Sequence, residues 1–263
     1  ISKQINIKND IIKNNINDYK RIYFLCGNAR TFISCFDNIY IKIIDKLFTN
    51  NTKNNTHVLF YLKCDDPGPK GQRGWDFTYN LVDENKLKNK ISEFTEKYKN
   101  ITFYSEILPT NKISDKELLS QVKNRSLYKG FLNENSKLIR ALHCHYNIED
   151  CGKIINKIES DNKLNFDFYI YIRPDLFFEN SSLNIYNYNI DKIILGNGPH
   201  RNSPDHIAII PNKYKYEFFF ARMNLIRINN KIILKTSEEI YFYTIIGKYE
   251  IKNIGKYIIK RNE

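Results

Sequence analysis

The chain has 263 residues, 42% of them hydrophobic and 27% charged. That length and balance suit one large domain or two small ones with a buried core, and exclude bulk disorder, collagen-like repeats and disulfide scaffolds. The 41 basic and 29 acidic residues leave a formal net charge of +12, which favours anionic partners: nucleic acid, phosphorylated metabolites or acidic glycans. Part of that excess reflects A/T-rich codon usage, visible in the abundance of Lys, Asn and Ile, so nucleic acid is not the expected partner.

The sequence begins at Ile1 rather than Met and reads as a trimmed segment; no signal peptide opens it, and no run approaches the ~18 apolar residues of a membrane span. Residues 1–20 read as an N-terminal extension. From there short apolar runs alternate with amphipathic stretches. Arg21–Cys26 is predicted as a buried strand bounded by Gly27, and Phe32, Phe36, Ile39, Ile43 and Leu47 then recur at helical spacing. His57–Lys63 and Ile101–Ser105 read as strands on either side of a helix over Glu84–Lys99. A long helical stretch over Glu134–Ser160, with a break expected near Asp150–Gly152, leads into the strand Phe166–Ile172. Lys192–Leu195 and His206–Ile210 are further strands, and Asn212–Arg227 and Ser237–Gly247 read as helical. Residues 248–263 read as a basic segment packed on the same domain. The alternation predicts one α/β domain with a mainly parallel central sheet flanked by helices.

Two loops concentrate the chain-breaking residues. Cys64–Asn80 and Gly196–Asp205 hold five of the ten glycines and four of the seven prolines. Both follow predicted strands, where open α/β sheets build their ligand crevice. Trp75, in the first, is placed to stack on a base or sugar ring or to anchor packing. The five cysteines (Cys26, Cys35, Cys64, Cys144, Cys151) show no CxxC spacing, so a structural zinc site is not expected. In His143-Cys144-His145, neighbouring helical residues point about 100° apart and cannot converge on one ion.

The sharpest motif is Arg173-Pro174-Asp175 at the end of the Phe166–Ile172 run. Pro174 cannot donate to a sheet ladder, so the strand should end or bulge there. The pair then reads in two ways. Asp175 can hold a hard divalent cation while Arg173 grips phosphate oxygens, or the two can form a structural ion pair that closes a turn. A second candidate is the turn Gly27-Asn28-Ala29-Arg30, where glycine allows close backbone approach and the following helix offers N–H groups to an anion. Neither a dinucleotide fingerprint nor a P-loop is present. Asp205 and Glu238 are candidate bases for deprotonating an acceptor hydroxyl, or simply a loop carboxylate and a helix N-terminal charge. Glu239 stands at capping-box spacing from Thr236.

Taken in order, Ile22–Phe32 (IYFLCGNARTF), Phe166–Phe178 (FDFYIYIRPDLFF), Asp205–Ile210 (DHIAII) and the helix opening at Ser237 resemble glycosyltransferases of the GT-A type. The likeness is to viral, bacterial and algal members with Arg-Pro-Asp in place of Asp-x-Asp, and it spans about residues 20–247. It implies a GT-A-like fold over 21–247. Gly27, Asn28, Arg30 and Arg173 would lie against the donor nucleotide, Asp65 and Asp66 would approach its base or ribose, and Asp175 would bind Mn²⁺ or Mg²⁺. The implied reaction moves a sugar from a UDP- or GDP-sugar to a hydroxyl of a glycan or glycoprotein, with no nucleic acid and no membrane span. The expected compartment is the cytoplasm (a host's, for a viral chain), with a lumenal one left open. Because Arg173 replaces the first acid, strict metal dependence is not implied. The rival expectation is a non-catalytic carbohydrate- or nucleic-acid-binding protein on an α/β fold.

Overall fold

The computed structural model describes residues 18–29, 31–64, 82–122, 125, 128–180, 183–197, 206–223, 245, 247–253 and 256–259. Apolar runs with both faces buried form its centre: β1 (Arg21–Asn28), β2 (Thr56–Lys63) and β4 (Phe168–Ile172), the pattern of parallel strands covered on both sides. With β3 (Thr102–Leu108), β6 (Ile193–Asn197), β7 (Ile207–Pro211) and β8 (Tyr249–Asn253) they make a seven-stranded sheet, order β3-β2-β1-β4-β7-β6-β8. Among these strands β7 alone runs against its neighbours, pairing antiparallel with β4 and β6; the other adjacent pairs are parallel. The expected α/β class with a mainly parallel sheet is thus the observed one. β5 (Leu176–Phe178) and β9 (Tyr257–Ile259) form a separate antiparallel pair.

Alternation along β1 sends Tyr23 and Leu25 into one apolar layer and Ile22, Phe24 and Cys26 into the other. The first layer is covered by α1 (Phe32–Ile39), which continues through a π-helical segment Tyr40–Ile44 into α2 (Asp45–Leu47), and by α3 (Glu84–Lys97). Phe36 packs there against Phe94 and Phe60, with ring centroids 4.5 and 5.0 Å away. Burying each such ring is worth roughly 1.5–3 kcal/mol. Asp83 caps α3 by accepting from the Lys86 N–H at 2.9 Å. The second layer is covered by α5 (Asn135–Asn162) and α6 (Lys215–Phe219); α4 (Asp115–Ser120) packs against α5. Among the described residues no helix is long and apolar enough to cross a membrane.

Several elements differ from their sequence reading. β1 runs past Gly27 to Asn28, because β2 extends opposite it and pairs Gly27 with Leu62 and Asn28 with Lys63. The long helix is unbroken at Asp150–Gly152. Gly152 is instead a packing point, since a Cβ there would lie 2.8 Å from Cβ and Cγ of Phe219. The stretch after Pro211 opens as a 3₁₀ turn, Asn212–Tyr214, before α6. β5, β8 and β9 carried no strand signal: β5 and β9 are three residues long, and lysines interrupt or flank β8 and β9. Of the Ser237–Gly247 helix, only Ile245 and Gly247 lie within the described residues.

Candidate functional site

From β1 the chain crosses to β2 on one side, while β4 lies hydrogen-bonded on the other. In open α/β sheets such a reversal of strand order, here between the carboxyl ends of β1 and β4, is where the ligand crevice forms. Two of the sequence motifs meet there. Gly27, one residue before the end of β1, has φ +152°, and a Cβ on it would lie 3.1 Å from Cδ and 3.3 Å from Cγ of Pro174. The glycine therefore makes room for the Arg-Pro-Asp turn, on the side a Cβ would occupy. Asn28, beside it, is half-buried.

Pro174 stops β4 as its chemistry requires. The last bond toward β7 is from the Arg173 N–H to the His206 carbonyl, 2.9 Å. The turn then buries Asp175 (4% exposed), whose two oxygens accept from Arg173 Nε and a terminal nitrogen, both at 2.8 Å. This bidentate, charge-assisted geometry fixes the plane of the guanidinium, and the Arg173 side chain remains 26% exposed. The ion-pair reading of these two residues is the observed geometry.

The turn is braced from two further sides. Asn38, on α1, donates from its amide nitrogen to the Phe178 carbonyl (3.0 Å) and accepts the Phe178 N–H (2.6 Å). It thereby completes one edge of β5 as a neighbouring strand would. On the other edge β9 pairs with β5, and the Tyr257 hydroxyl lies 2.7 Å from His206 Nδ1.

The turn into α1 gives less to an anion than its sequence implied. Thr31 makes no side-chain cap, and the N–H groups of Phe32, Ser34 and Cys35 are taken by the carbonyls of Ala29 and Thr31 at 2.8–3.2 Å. Arg30, Asp65, Asp66, Asp205 and Glu238 lie outside the described residues, as do Trp75 and nearly all of the two Gly/Pro-rich loops.

The donor set has to be weighed against a divalent cation. Among the described residues no three His, Cys, Asp or Glu side chains gather as metal ligands, and both oxygens of Asp175 already accept from Arg173. No set of ligands for Mn²⁺ or Mg²⁺ is assembled among the described residues.

Polar groups that the sequence reading passed over crowd the neighbouring strand end. Lys63 closes β2 almost fully buried, with its ammonium 3.0 Å from Asn111 Oδ1. Asn111 lies 3.5 Å from His143 Nε2, which is 2.7 Å from Asp115 Oδ1. Of the His-Cys-His triplet, His143 is thus engaged with a carboxylate while Cys144 is exposed. One residue pair back on β2, the Tyr61 hydroxyl donates to Asp150 (2.9 Å), which Lys112 also reaches (2.8 Å). Burial, reinforced by Asp150, drives the Tyr61 pKa well up. A lysine ending an otherwise apolar strand run was the available signal for this cluster. A groove of about 360 Å³ runs between α3 and β3, lined by Glu84, Lys88, Ser92 and Glu106 among others, with β3 two strands away from β1.

No protein-family model matches the chain, and no curated protein is similar to it in sequence. Solved structures are similar in part. The glycosyltransferase GlyE of Streptococcus pneumoniae TIGR4 aligns with 89% of this chain at 9% identity and a TM-score of 0.42; the chain spans 45% of that protein's length. Mouse xyloside xylosyltransferase 1, in its apo form, aligns over 89% of this chain and 84% of its own, at 6% identity and a TM-score of 0.37. These values describe a loose likeness of fold and carry no argument about activity.

Proposed function

We propose that the protein is a glycosyltransferase, moving a sugar from a nucleoside-diphosphate sugar, UDP- or GDP-linked, to a hydroxyl of a glycan or glycoprotein. The observation that carries this reading is Arg173: a guanidinium held in one plane by buried Asp175, partly exposed, at the strand-order reversal of an α/β sheet. A guanidinium preorganised in this way stabilises the charge that develops on a departing diphosphate, and its orientation is set before the reaction starts. Asp175 acts through Arg173 in this scheme, and no step runs through a cation. Asp205 precedes His206, whose carbonyl receives the Arg173 N–H, so it is the first candidate for the base that takes the acceptor proton; Glu238 is the second. Arg30, Asp65 and Asp66 adjoin the described ends of β1 and β2 in sequence and belong to the same crevice in this reading.

The test is thermal stabilisation by UDP, GDP, UMP and GMP, followed by incubation with UDP- and GDP-sugars and mass spectrometry of products. A ligand that binds only the folded state raises the melting temperature by mass action. Stabilisation by a diphosphate above its monophosphate, with sugar released or transferred, is the expected result. Stabilisation by free sugars alone would favour a non-catalytic carbohydrate-binding role. Steeply salt-dependent binding to RNA or DNA without nucleotide binding would favour the nucleic-acid alternative.

A further inference from the structure

Tyr257 lies far along the chain from the Arg-Pro-Asp turn, yet it is built into it. Tyr257 is 2% exposed, and His206 is 3% exposed. A phenol hydroxyl buried this deeply is costly unless it finds a partner, and here it lies 2.7 Å from His206 Nδ1. A phenylalanine would fill the same volume, so packing alone does not account for the hydroxyl. His206 in turn accepts the Arg173 N–H through its carbonyl. On the downstream side of the turn, Tyr257 sits opposite Phe178 in the β5–β9 register, with ring centroids 5.3 Å apart. Further bonds pin β9 beside β5: Glu179 N–H to the Lys256 carbonyl, and Lys256 N–H to Asn180 Oδ1, each 2.9 Å. The turn enters through a bond to His206 and leaves through a strand paired with Tyr257, and one side-chain hydrogen bond joins the two supports.

We propose that Tyr257 is a positioning residue: through His206 it fixes where the backbone of Arg173 sits, and with it the guanidinium offered to a diphosphate. The diphosphate part rests on the glycosyltransferase reading; the positioning itself does not.

The experiment compares wild type with Tyr257→Phe, which keeps the ring and deletes the hydroxyl. The first measurement needs no ligand. The Arg173 Nε–H resonance, assigned by its loss in Arg173→Lys, is followed for exchange with solvent, alongside the backbone amides of Phe24 and Leu59 as reporters of the general fold. Positioning predicts at least roughly tenfold faster exchange at Nε with both amides unchanged. Unchanged exchange at Nε, or acceleration at all three sites alike, overturns the proposal. The second measurement is calorimetric binding of UDP and GDP against UMP and GMP. Roughly tenfold weaker diphosphate binding with monophosphate binding retained is expected, and Tyr257→Phe should add nothing to Arg173→Lys. Equal losses for both nucleotide classes, or additive effects, overturn the proposal. If wild type binds no diphosphate, the sugar-transfer reading fails, and the exchange measurement alone decides the positioning role. Should Tyr257→Phe not fold, His206→Asn is measured in the same way; failure of both to fold makes the pair structural and overturns it.

Discussion

The side chain that Gly27 lacks is replaced in space by the ring of Pro174: a Cβ on residue 27 would stand 3.1 Å from Cδ of Pro174. Two motifs separated by most of the chain therefore depend on each other's smallest and stiffest residue. Gly27→Ala should destabilise the protein by about 1–3 kcal/mol, from backbone strain at φ +152° together with the crowding. Chemical denaturation reads the loss. Adding Pro174→Ala should recover the crowding part, whereas strictly additive losses would show that the two residues do not communicate.

Asp175→Asn removes one member of a bidentate pair. Leaving a buried polar partner unsatisfied costs about 1–3 kcal/mol, and more where it is charged, so the variant should fold with a lowered denaturation midpoint. If Asp175 acts by orienting Arg173, diphosphate affinity should fall by the same factor in EDTA and in Mn²⁺. A loss confined to Mn²⁺ would assign the carboxylate to a cation instead.

Asn38→Ala leaves the N–H and carbonyl of Phe178 without the amide that serves both. The expected cost is about 1–3 kcal/mol, accompanied by faster amide exchange in residues 176–178. Equal stability of Asn38→Ala and wild type would remove the side chain from the list of braces.

Gly152→Ala inverts an ordinary rule. Within a helix, alanine is favoured over glycine by about 1 kcal/mol, but here the new Cβ would lie 2.8 Å from Phe219. The substitution should therefore destabilise. A raised melting temperature would show that Phe219 yields without cost.

His57 supplies a pH dependence. Burial, with nearby Lys20 adding to it and a backbone contact at Asn54 opposing it, holds the imidazole at about 4, below its ordinary 6.5. Its ring packs 5.0 Å from that of Phe166, and the Tyr104 hydroxyl lies 3.3 Å from Nδ1. Between pH 6.5 and 4 the unfolded chain binds this proton and the folded one does not. The contribution is therefore fully present above about 6.5 and is lost as pH falls toward 4. Urea midpoints measured from pH 7.5 to 4 should fall less steeply in His57→Gln than in wild type, and parallel curves would disprove the assignment.

The parts of this molecule that were legible in the sequence are those where one chemical property repeats. The doubly apolar runs of β1, β2 and β4 announced covered parallel strands, and Pro174 announced the end of β4. The helical step from Phe32 to Leu47 held, although its middle is π-helical. What escaped was pairwise. Gly152 reads as a breaker until Phe219 is beside it. The three residues of β9 carry no period and become a strand only because β5 offers an edge. Lys63, the Asn111–Asp115 stretch and His143 come from three separate parts of the chain, and no local pattern joins them. Arg173 and Asp175, two residues apart, were visible as a pair. The bonds that hold their turn, from Asn38, His206 and Tyr257, were not.

The bond from the Lys20 N–H to the Asp167 carboxylate, 2.8 Å, spans 147 residues of chain and stands at the opposite end of the β1–β4 pair from the crevice. Joining these two strands means closing a loop that contains β2, β3 and the helices between, while the β1–β2–β3 half is assembled from shorter crossovers. Loop-closure entropy and contact order place such a junction late in folding. The crevice then has no existence in a partly folded chain, and a ligand seated there draws on the stability of the whole sheet. Refolding should accordingly regain secondary structure before it regains ligand binding.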